Sequence, residues 1–164
     1  MYNVVDRALS LRKAIHSLTL SPAHNMGPPT KRLKRFNLSD EEWAILESLL
    51  PLLKLLLDAT TRISSSKYPM LHKVIPIIDV LNKRLEEAVA NTALPLVVHR
   101  GVQRAIMVLD KYYSKTDESI MWKTAMFFHP KYRRNYFERA GWEDTWINTA
   151  VITARELWTT HYRV

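Results

Sequence analysis

Residues 126–146, MFFHPKYRRNYFERAGWEDTW, hold seven aromatic side chains and four positive charges around one proline and one glycine. The stretch is either a surface for nucleic acid, with its aromatic side chains exposed, or a seam where helices pack around them. This choice decides where the core of the fold lies. On a short helix, Tyr132, Tyr136 and Phe137 share one side. Arg133 and Arg134 fall largely on another. A surface that stacks single-stranded bases needs exposed aromatics beside its cations, so the spacing favours a packed helix with a solvated basic face.

The residues on either side predict where neighbouring helices begin and end. Pro130 begins the short helix and Gly141 ends it, since proline is favoured in a first turn and glycine after a last one. Glu143 begins a final helix that carries an inward apolar set: Trp146, Ala150, Ala154, Leu157 and Trp158. Trp43, Trp142, Trp146 and Phe137 are therefore predicted to lie in the core.

A second strong signal is the segment NLSDEEW at residues 37–43. Ser39 is placed as an N-cap, and Glu42 stands three residues later, where it closes a capping box. Apolar residues then recur at spacings of three and four from Trp43 onward. The pattern predicts a helix from Ser39 to Ile63.

Extended along the chain, these patterns predict an all-α protein without significant β-sheet. We expect a bundle of about six helices, several of them long and kinked at internal prolines such as Pro51 and Pro76. The long helices are predicted at residues 39–63, 70–90 and 143–162. The predicted domains are an N-terminal helix at 1–18, a Pro-rich basic linker at 19–37 and a helical domain at 38–164.

Composition limits the functions that the chain can have. Its 164 residues suit a single domain, and the absence of cysteine excludes disulfides, thiolate zinc sites and cysteine nucleophiles. The longest apolar run, LLPLLKLLL, is interrupted by Lys54 and is too short to cross a bilayer, so a soluble intracellular protein is expected. The first 20 residues could pass for a mitochondrial presequence, although Asp6 fits an ordinary amphipathic helix better.

A net charge of +8 favours polyanionic partners. The segment KRLKR, residues 31–35, is either a short nuclear-localisation patch or a solvated linker. Any contact with DNA is expected to go to the phosphate backbone, without sequence preference. The candidate nucleic-acid-binding residues are Lys31, Arg32, Lys34, Arg35, Lys131, Arg133, Arg134 and Arg139.

The sequence predicts no catalytic residue, metal ligand, cofactor or small-molecule substrate. Asp40, Glu41 and Glu42 are explained by a first helical turn and its capping box. The six histidines stand singly, without the pairs at helical spacing that hold zinc.

Three segments in order resemble the helical region of hAT-type transposases, especially fungal copies. They are LSDEEWAILESLLPLLKLLLDATTRISSSKYPMLHKVIPIIDVLNKRL, then AMFFHPKYRRNYF, then GWEDTWINTAVITARELW. The family shows an acidic helix start with Trp, a KYPTL-like stretch leading into LPLI, and an ILDPRYKLxYF-like segment. The matching positions are Trp43, Lys67, Tyr68, Pro69, Pro76, Pro130, Tyr132, Tyr136 and Phe137, while His129 departs from the commoner acid. The N-terminal MYNVVDRALSLRKAI is similar to the helix that follows the family's TRWNS-like signature.

The resemblance implies nuclear action on DNA but no catalysis. Such transposases cleave DNA with three metal-binding acids on an RNase-H-like core, two before this region and one after it in an SER-type motif. The N-terminal zinc finger and the C-terminal dimerisation segment of these transposases also lie outside the region that this sequence resembles. The resemblance therefore implies a partial copy that is not an enzyme.

Three functional hypotheses follow. The chain is a non-enzymatic, hAT-derived helical module in the nucleus with weak, sequence-independent DNA association. Alternatively, it is a helical protein-interaction module whose exposed apolar faces bind a second copy or a transposase-like protein. The third possibility is a transposon remnant without a selected role.

Overall fold

Helices account for most of the chain. A computed structural model describes residues 1–64, 67–117 and 119–163, and in them it shows eight α-helices and no β-strand. The helices are α1 (Tyr2–Ser10), α2 (Arg12–Leu20), α3 (Asp40–Ile63), α4 (Leu71–Ala90), α5 (Leu96–Asp117), α6 (Ile120–Phe128), α7 (Arg133–Arg139) and α8 (Asp144–His161). The predicted all-α class is confirmed over this part of the chain.

The number of helices exceeds the predicted six, in part because the N-terminal segment divides at Leu11. The hydroxyl of Ser10 donates a 2.8 Å hydrogen bond to the carbonyl of Arg7, and the backbone N–H of Leu11 donates to the same oxygen. A serine that bonds back to the preceding turn bends a helix. The segment therefore forms α1 and α2 rather than one helix.

The long helices lie within one residue of their predicted bounds. Pro51 lies inside α3 and Pro76 inside α4, and neither proline ends its helix. A proline removes one backbone donor, but the residues on both sides remain helical here. Both helices therefore continue through their prolines as single elements, and the detail of Pro-kinked helices is the inexact part of the prediction.

The start of α3 forms the predicted capping box. The backbone N–H of Ser39 donates to the Glu42 carboxylate at 2.8 Å, and the backbone N–H of Glu42 donates to the Ser39 hydroxyl at 3.2 Å. Two donors that the helix cannot satisfy are thereby paired. Trp43, in the next position, is buried.

The chain forms two compact units. The first comprises Met1–Asp58 and Glu87–Gln103, and the second comprises Ala59–Glu86 and the chain from Arg104 onward. The boundary falls within α3, α4 and α5. The domain division made from the sequence stays a prediction.

In the first unit, Trp43, Val98 and Val102 are buried. Arg12 of α2 reaches the start of α3: its guanidinium donates to Asp40 at 2.8 Å and to Glu47 at 3.2 Å. The same guanidinium lies 5.4 Å from the centre of the Trp43 ring. Arg12 therefore joins α2 to α3 by charge and by a cation–π contact.

The core of the second unit consists of Ile75, Met126, Phe137 and Ile147, each at most 1% exposed. Partly buried aromatic residues pack around it: Tyr113, Trp122, Phe127, Tyr132, Tyr136 and Trp142. Most of the stretch 126–146 is thus a packing seam, as predicted.

Two tryptophans of α8 depart from the predicted core. Trp146 is 51% exposed and Trp158 is 52% exposed, whereas Ala150 and Ala154 are buried. The small alanines bring α8 close to its neighbours, and the larger rings then lie at the edges of the buried stripe. The expectation that Trp146 and Trp158 point inward is wrong.

Candidate nucleic-acid interface

The short basic helix α7 begins three residues later than Pro130, where the sequence predicted its start. Residues 129–132 form a turn, in which the backbone N–H of Tyr132 donates to the carbonyl of His129 at 3.1 Å. Arg133 follows with φ of 48°, in the left-handed region. Because that conformation interrupts a right-handed helix, α7 begins only at Arg133.

The end of α7 agrees with its prediction. Gly141 has φ of 75°, a conformation that glycine adopts without the cost of a Cβ atom. Its backbone N–H donates to the carbonyl of Glu138 at 3.2 Å. Gly141 therefore ends the helix.

The four predicted cations near α7 are all exposed. Arg134 is engaged, since its guanidinium donates to Glu138 at 2.7 Å and to Asn148 at 3.4 Å. Among the residues that the structure describes, Lys131, Arg133 and Arg139 have no carboxylate within ion-pair distance. These three cations are the ones available to a phosphate.

The four predicted cations of residues 31–35 lie on a folded segment. Residues 19–37 contain three short 3-10 helices: Pro22–His24, Pro29–Lys31 and Leu33–Phe36. The Asn25 side chain donates to the carbonyls of Thr19 and Ser21, both at 2.8 Å, and accepts from the backbone N–H of Lys34 at 2.9 Å. One side chain thus ties the cationic residues to the end of α2.

Two of these cations bond to their own segment. Arg32 donates to the carbonyl of Gly27 and Arg35 to that of Thr30, each at 2.8 Å. The Arg35 guanidinium also lies 4.5 Å from the centre of the Phe36 ring. Lys31 and Lys34 remain exposed, so the lysines offer the more accessible ammonium groups.

Two histidines that stand 57 positions apart in the sequence meet in the second unit. The rings of His72 and His129 stack with centroids 4.1 Å apart, and Tyr132 lies 5.1 Å from His129. Burial lowers the pKa of His72, and the positive charges of His129 and Lys73 lower it further. Sequence spacing alone could not reveal this pair, because the two residues come from α4 and from the turn before α7.

Tyr136 anchors α7 to α4. Its hydroxyl donates a 2.5 Å hydrogen bond to the carboxylate of Asp79. Burial and this bond to Asp79 raise the pKa of the Tyr136 hydroxyl. The hydrogen bond between Tyr136 and Asp79 thus holds the basic helix α7 on the core.

A groove between α6 and α8 was missed by the sequence reasoning. It encloses about 360 Å³ and is lined by Ile120, Lys123, Thr124, Trp146, Thr149, Ala150 and Thr153. The Lys123 ammonium lies 5.8 Å from the Trp142 ring centre and 5.9 Å from that of Trp146. The spacing of Trp146, Thr149 and Thr153 at i, i+3 and i+7 is the sequence signal that could have indicated this face.

Comparison with protein-family models, with curated proteins and with solved structures found no match. Within the described ranges, no three histidine or acidic side chains come together as a metal site. No described helix has the length and apolar character needed to cross a bilayer.

Proposed function

We propose that this chain is a non-enzymatic helical module, related to hAT-type transposases, that associates weakly with the phosphate backbone of DNA in the nucleus. The observation that carries the proposal is the set of exposed cations at α7 without a carboxylate partner in the described chain: Lys131, Arg133 and Arg139. Their neighbour Phe137 is fully buried. The Phe137 ring is thus out of reach of a stacked base, which suits contact with the phosphate backbone rather than with bases.

The lysines of residues 31–35 supply a second basic region. A folded segment presents Lys31 and Lys34 at defined positions, which reduces the ordering cost of binding. Arg32 and Arg35 would have to give up their carbonyl contacts to reach a phosphate. We therefore assign the lysines the larger share of any contact from this segment.

The test is a salt titration of binding to duplex DNA. Each phosphate neutralised contributes about 0.9 to the slope of log affinity against log salt. Replacing Arg133 and Arg139 together by Ala should flatten that slope by at most about 1.8, and Arg134→Ala should flatten it less because Glu138 competes for that side chain. As a matched control, Glu138→Gln releases Arg134 and should strengthen binding.

The affinity of the protein for random duplexes and for transposon-end duplexes should fall equally as the salt concentration rises. Tight binding of one sequence over its scrambled form at physiological salt would contradict the proposal. So would an absence of binding at low salt.

A second candidate function is a protein-interaction module. Apolar side chains of α5 in the second unit are largely exposed: Met107, Val108 and Tyr112 are 70%, 55% and 59% accessible. Adjacent exposed apolar residues of this kind are typical of docking faces. Sizing the free protein tests this candidate. Val108→Glu should abolish self-association through α5 and leave the affinity for DNA unchanged.

A further inference from the structure

Three aromatic side chains at the ends of α6 and α8, in the second unit, are exposed together. Phe128 is 48% exposed, Trp158 52% and Tyr162 66%. The Trp158 ring contacts both of the others: its centroid lies 6.2 Å from that of Phe128 and 5.6 Å from that of Tyr162. We call these three residues the aromatic surface. Large apolar side chains that are exposed as a group, rather than singly, are typical of an interaction site.

The end of α8 positions two of these rings relative to each other. The carbonyl of Trp158 accepts the backbone N–H of Tyr162 at 2.9 Å and that of Arg163 at 3.0 Å. The rings of Trp158 and Tyr162 are nearly parallel, with an angle of 16° between their planes. Because Tyr162 is the more exposed of the two, a planar ligand can extend this stacked pair beyond the Tyr162 ring.

A cation borders the aromatic surface. Arg155 is exposed and lies three residues before Trp158, so the two side chains are neighbours on one side of α8. Among the residues that the structure describes, Arg155 has no carboxylate within ion-pair distance. The adjacent acid, Glu156, lies roughly 160° around the helix from Trp158. A positive charge and exposed rings therefore occupy the same side of α8.

We infer that the aromatic surface binds single-stranded nucleic acid, with unpaired bases stacked on Trp158 and Tyr162 and a phosphate paired with Arg155. Every base has a planar face that stacks on an aromatic ring, and proteins that bind single strands combine such rings with cations that follow the backbone. We place the phosphate at Arg155 rather than beyond Tyr162, because the carbonyl end of a helix carries partial negative charge.

Charge favours this occupant over two others. A second copy of the chain would bring another net charge of +8 to the surface, and such a charge opposes self-association. A proline-rich peptide docks on aromatic rings without needing a cation beside them. A single strand uses both the rings and the guanidinium of Arg155.

This inference goes beyond the proposed contact with duplex DNA and does not depend on it. A duplex hides the faces of its bases, so it cannot supply a planar face to Tyr162. The cations at α7 and at residues 31–35 can bind phosphates whether or not the aromatic surface is intact. The two proposals can therefore fail separately.

The test measures binding of the full chain to a labelled thymidine decamer and to a duplex of the same length, by fluorescence anisotropy. Trp158→Leu and Tyr162→Leu should each weaken decamer binding by between about 5-fold and about 150-fold, the range for loss of one stacked base. Tyr162→Phe keeps the ring and should leave decamer binding unchanged. None of the three changes should alter duplex affinity.

Salt dependence separates stacking from charge. Arg155→Gln should flatten the slope of log affinity for the decamer against log salt by at most about 0.7, the value for one phosphate of a single strand. Trp158→Leu should lower the affinity at every salt concentration and leave the slope unchanged. A slope that Arg155→Gln did not alter would overturn the assignment of the phosphate to Arg155.

Trp146 provides a matched control, because it is equally exposed on the same helix but packs against Trp142. Trp146→Leu should leave decamer affinity unchanged. Trp158→Phe guards against a variant that misfolds, since it keeps an aromatic ring. It should still bind the decamer, but the decamer should quench less tryptophan fluorescence in this variant than in the unaltered protein.

The inference is overturned if the decamer does not bind at low salt, if Trp146→Leu weakens binding as much as Trp158→Leu does, or if quenching is undiminished in Trp158→Phe. It is also overturned if Trp158→Leu leaves decamer affinity unchanged but abolishes binding of a proline decapeptide or dissociates a dimer. The aromatic surface would then belong to a peptide or to a second copy. Duplex binding that persists in any of these cases leaves the proposed function intact.

Discussion

Trp142 donates its backbone N–H to the carbonyl of Phe137, five residues earlier, and the two rings lie 4.9 Å apart. Together with the bond from Gly141 to Glu138, this pairing forms a Schellman motif with its accompanying apolar contact. The end of α7 and the seating of Trp142 on the core are therefore one structural feature. The backbone conformation of Gly141 therefore determines both the end of α7 and the packing of Trp142 on the core.

Gly141→Ala should lower the free energy of unfolding by about 1–2 kcal/mol, because an L-residue is strained in the left-handed conformation. Nothing lies within 4 Å of an added Cβ at Gly141, so the cost is conformational rather than steric. Gly101→Ala is the control: it lies inside α5, also with open space, and should stabilise the protein by about 0.5–1 kcal/mol. Equal effects of the two changes in urea unfolding would contradict this account.

Phe137→Ala should cost about 3–5 kcal/mol, since the ring is fully buried and its removal leaves a cavity. Trp146→Ala should cost clearly less, because half of that side chain already faces solvent. Thermal and urea unfolding of the two variants measure the difference. A Trp146 variant as unstable as the Phe137 variant would place Trp146 in the core after all.

Tyr136→Phe should destabilise the protein by about 1.5–3 kcal/mol, the range for a lost hydrogen bond to a charged group. The change keeps the ring and removes only the hydroxyl that Asp79 accepts from. Tyr162→Phe removes a hydroxyl from an exposed ring, and its effect should stay within about 0.5 kcal/mol. Similar stabilities of the two variants would show that the Asp79 contact contributes nothing.

Stability should fall as the pH drops below about 6.5, the ordinary pKa of histidine. Folding lowers the pKa of His72, so the unfolded chain binds its proton more readily than the folded protein does. The contribution of neutral His72 to the free energy of unfolding is therefore complete above the pKa of the unfolded chain, and it is lost as the pH falls through the pKa of the folded protein.

His72→Gln should reduce this pH dependence, whereas His161→Gln, at the exposed end of α8, should retain it. Urea midpoints measured between pH 5 and 8 provide the check. If the urea midpoint of the His72 variant changed with pH as much as that of the unaltered protein, the histidine pair would be excluded as the source of the pH dependence.

The helices were predictable because their signals are local. The capping box at Ser39, the glycine after α7 and the spacing of apolar residues act within one or two turns, and each lies where the sequence placed it. The additional division at Leu11 is also local, but it depends on the carbonyl to which the Ser10 hydroxyl donates. Sequence alone does not settle that choice.

The surface was less predictable because it depends on which residues from distant segments meet. Helical spacing placed Trp146 and Trp158 on the apolar side of α8. Spacing does not show, however, whether a neighbouring helix covers the edge of that side or leaves it exposed to solvent. The meeting of His72 with His129, and that of Lys123 with Trp146, require the packing of several helices. The charges at α7 could be placed from sequence, whereas the pairing of Arg134 with Asn148 could not.

The tie that Asn25 makes to Lys34 has a consequence for proteolysis. Residues 31–35 offer four bonds of the kind that trypsin cleaves, yet these bonds lie in or between two short 3-10 helices that Asn25 holds against the end of α2. A protease reaches such bonds only when the segment opens locally. At low protease concentration, the cleavage rate therefore reports the opening equilibrium of this segment. Asn25→Ala, which removes its three hydrogen bonds, should make the chain a much faster substrate.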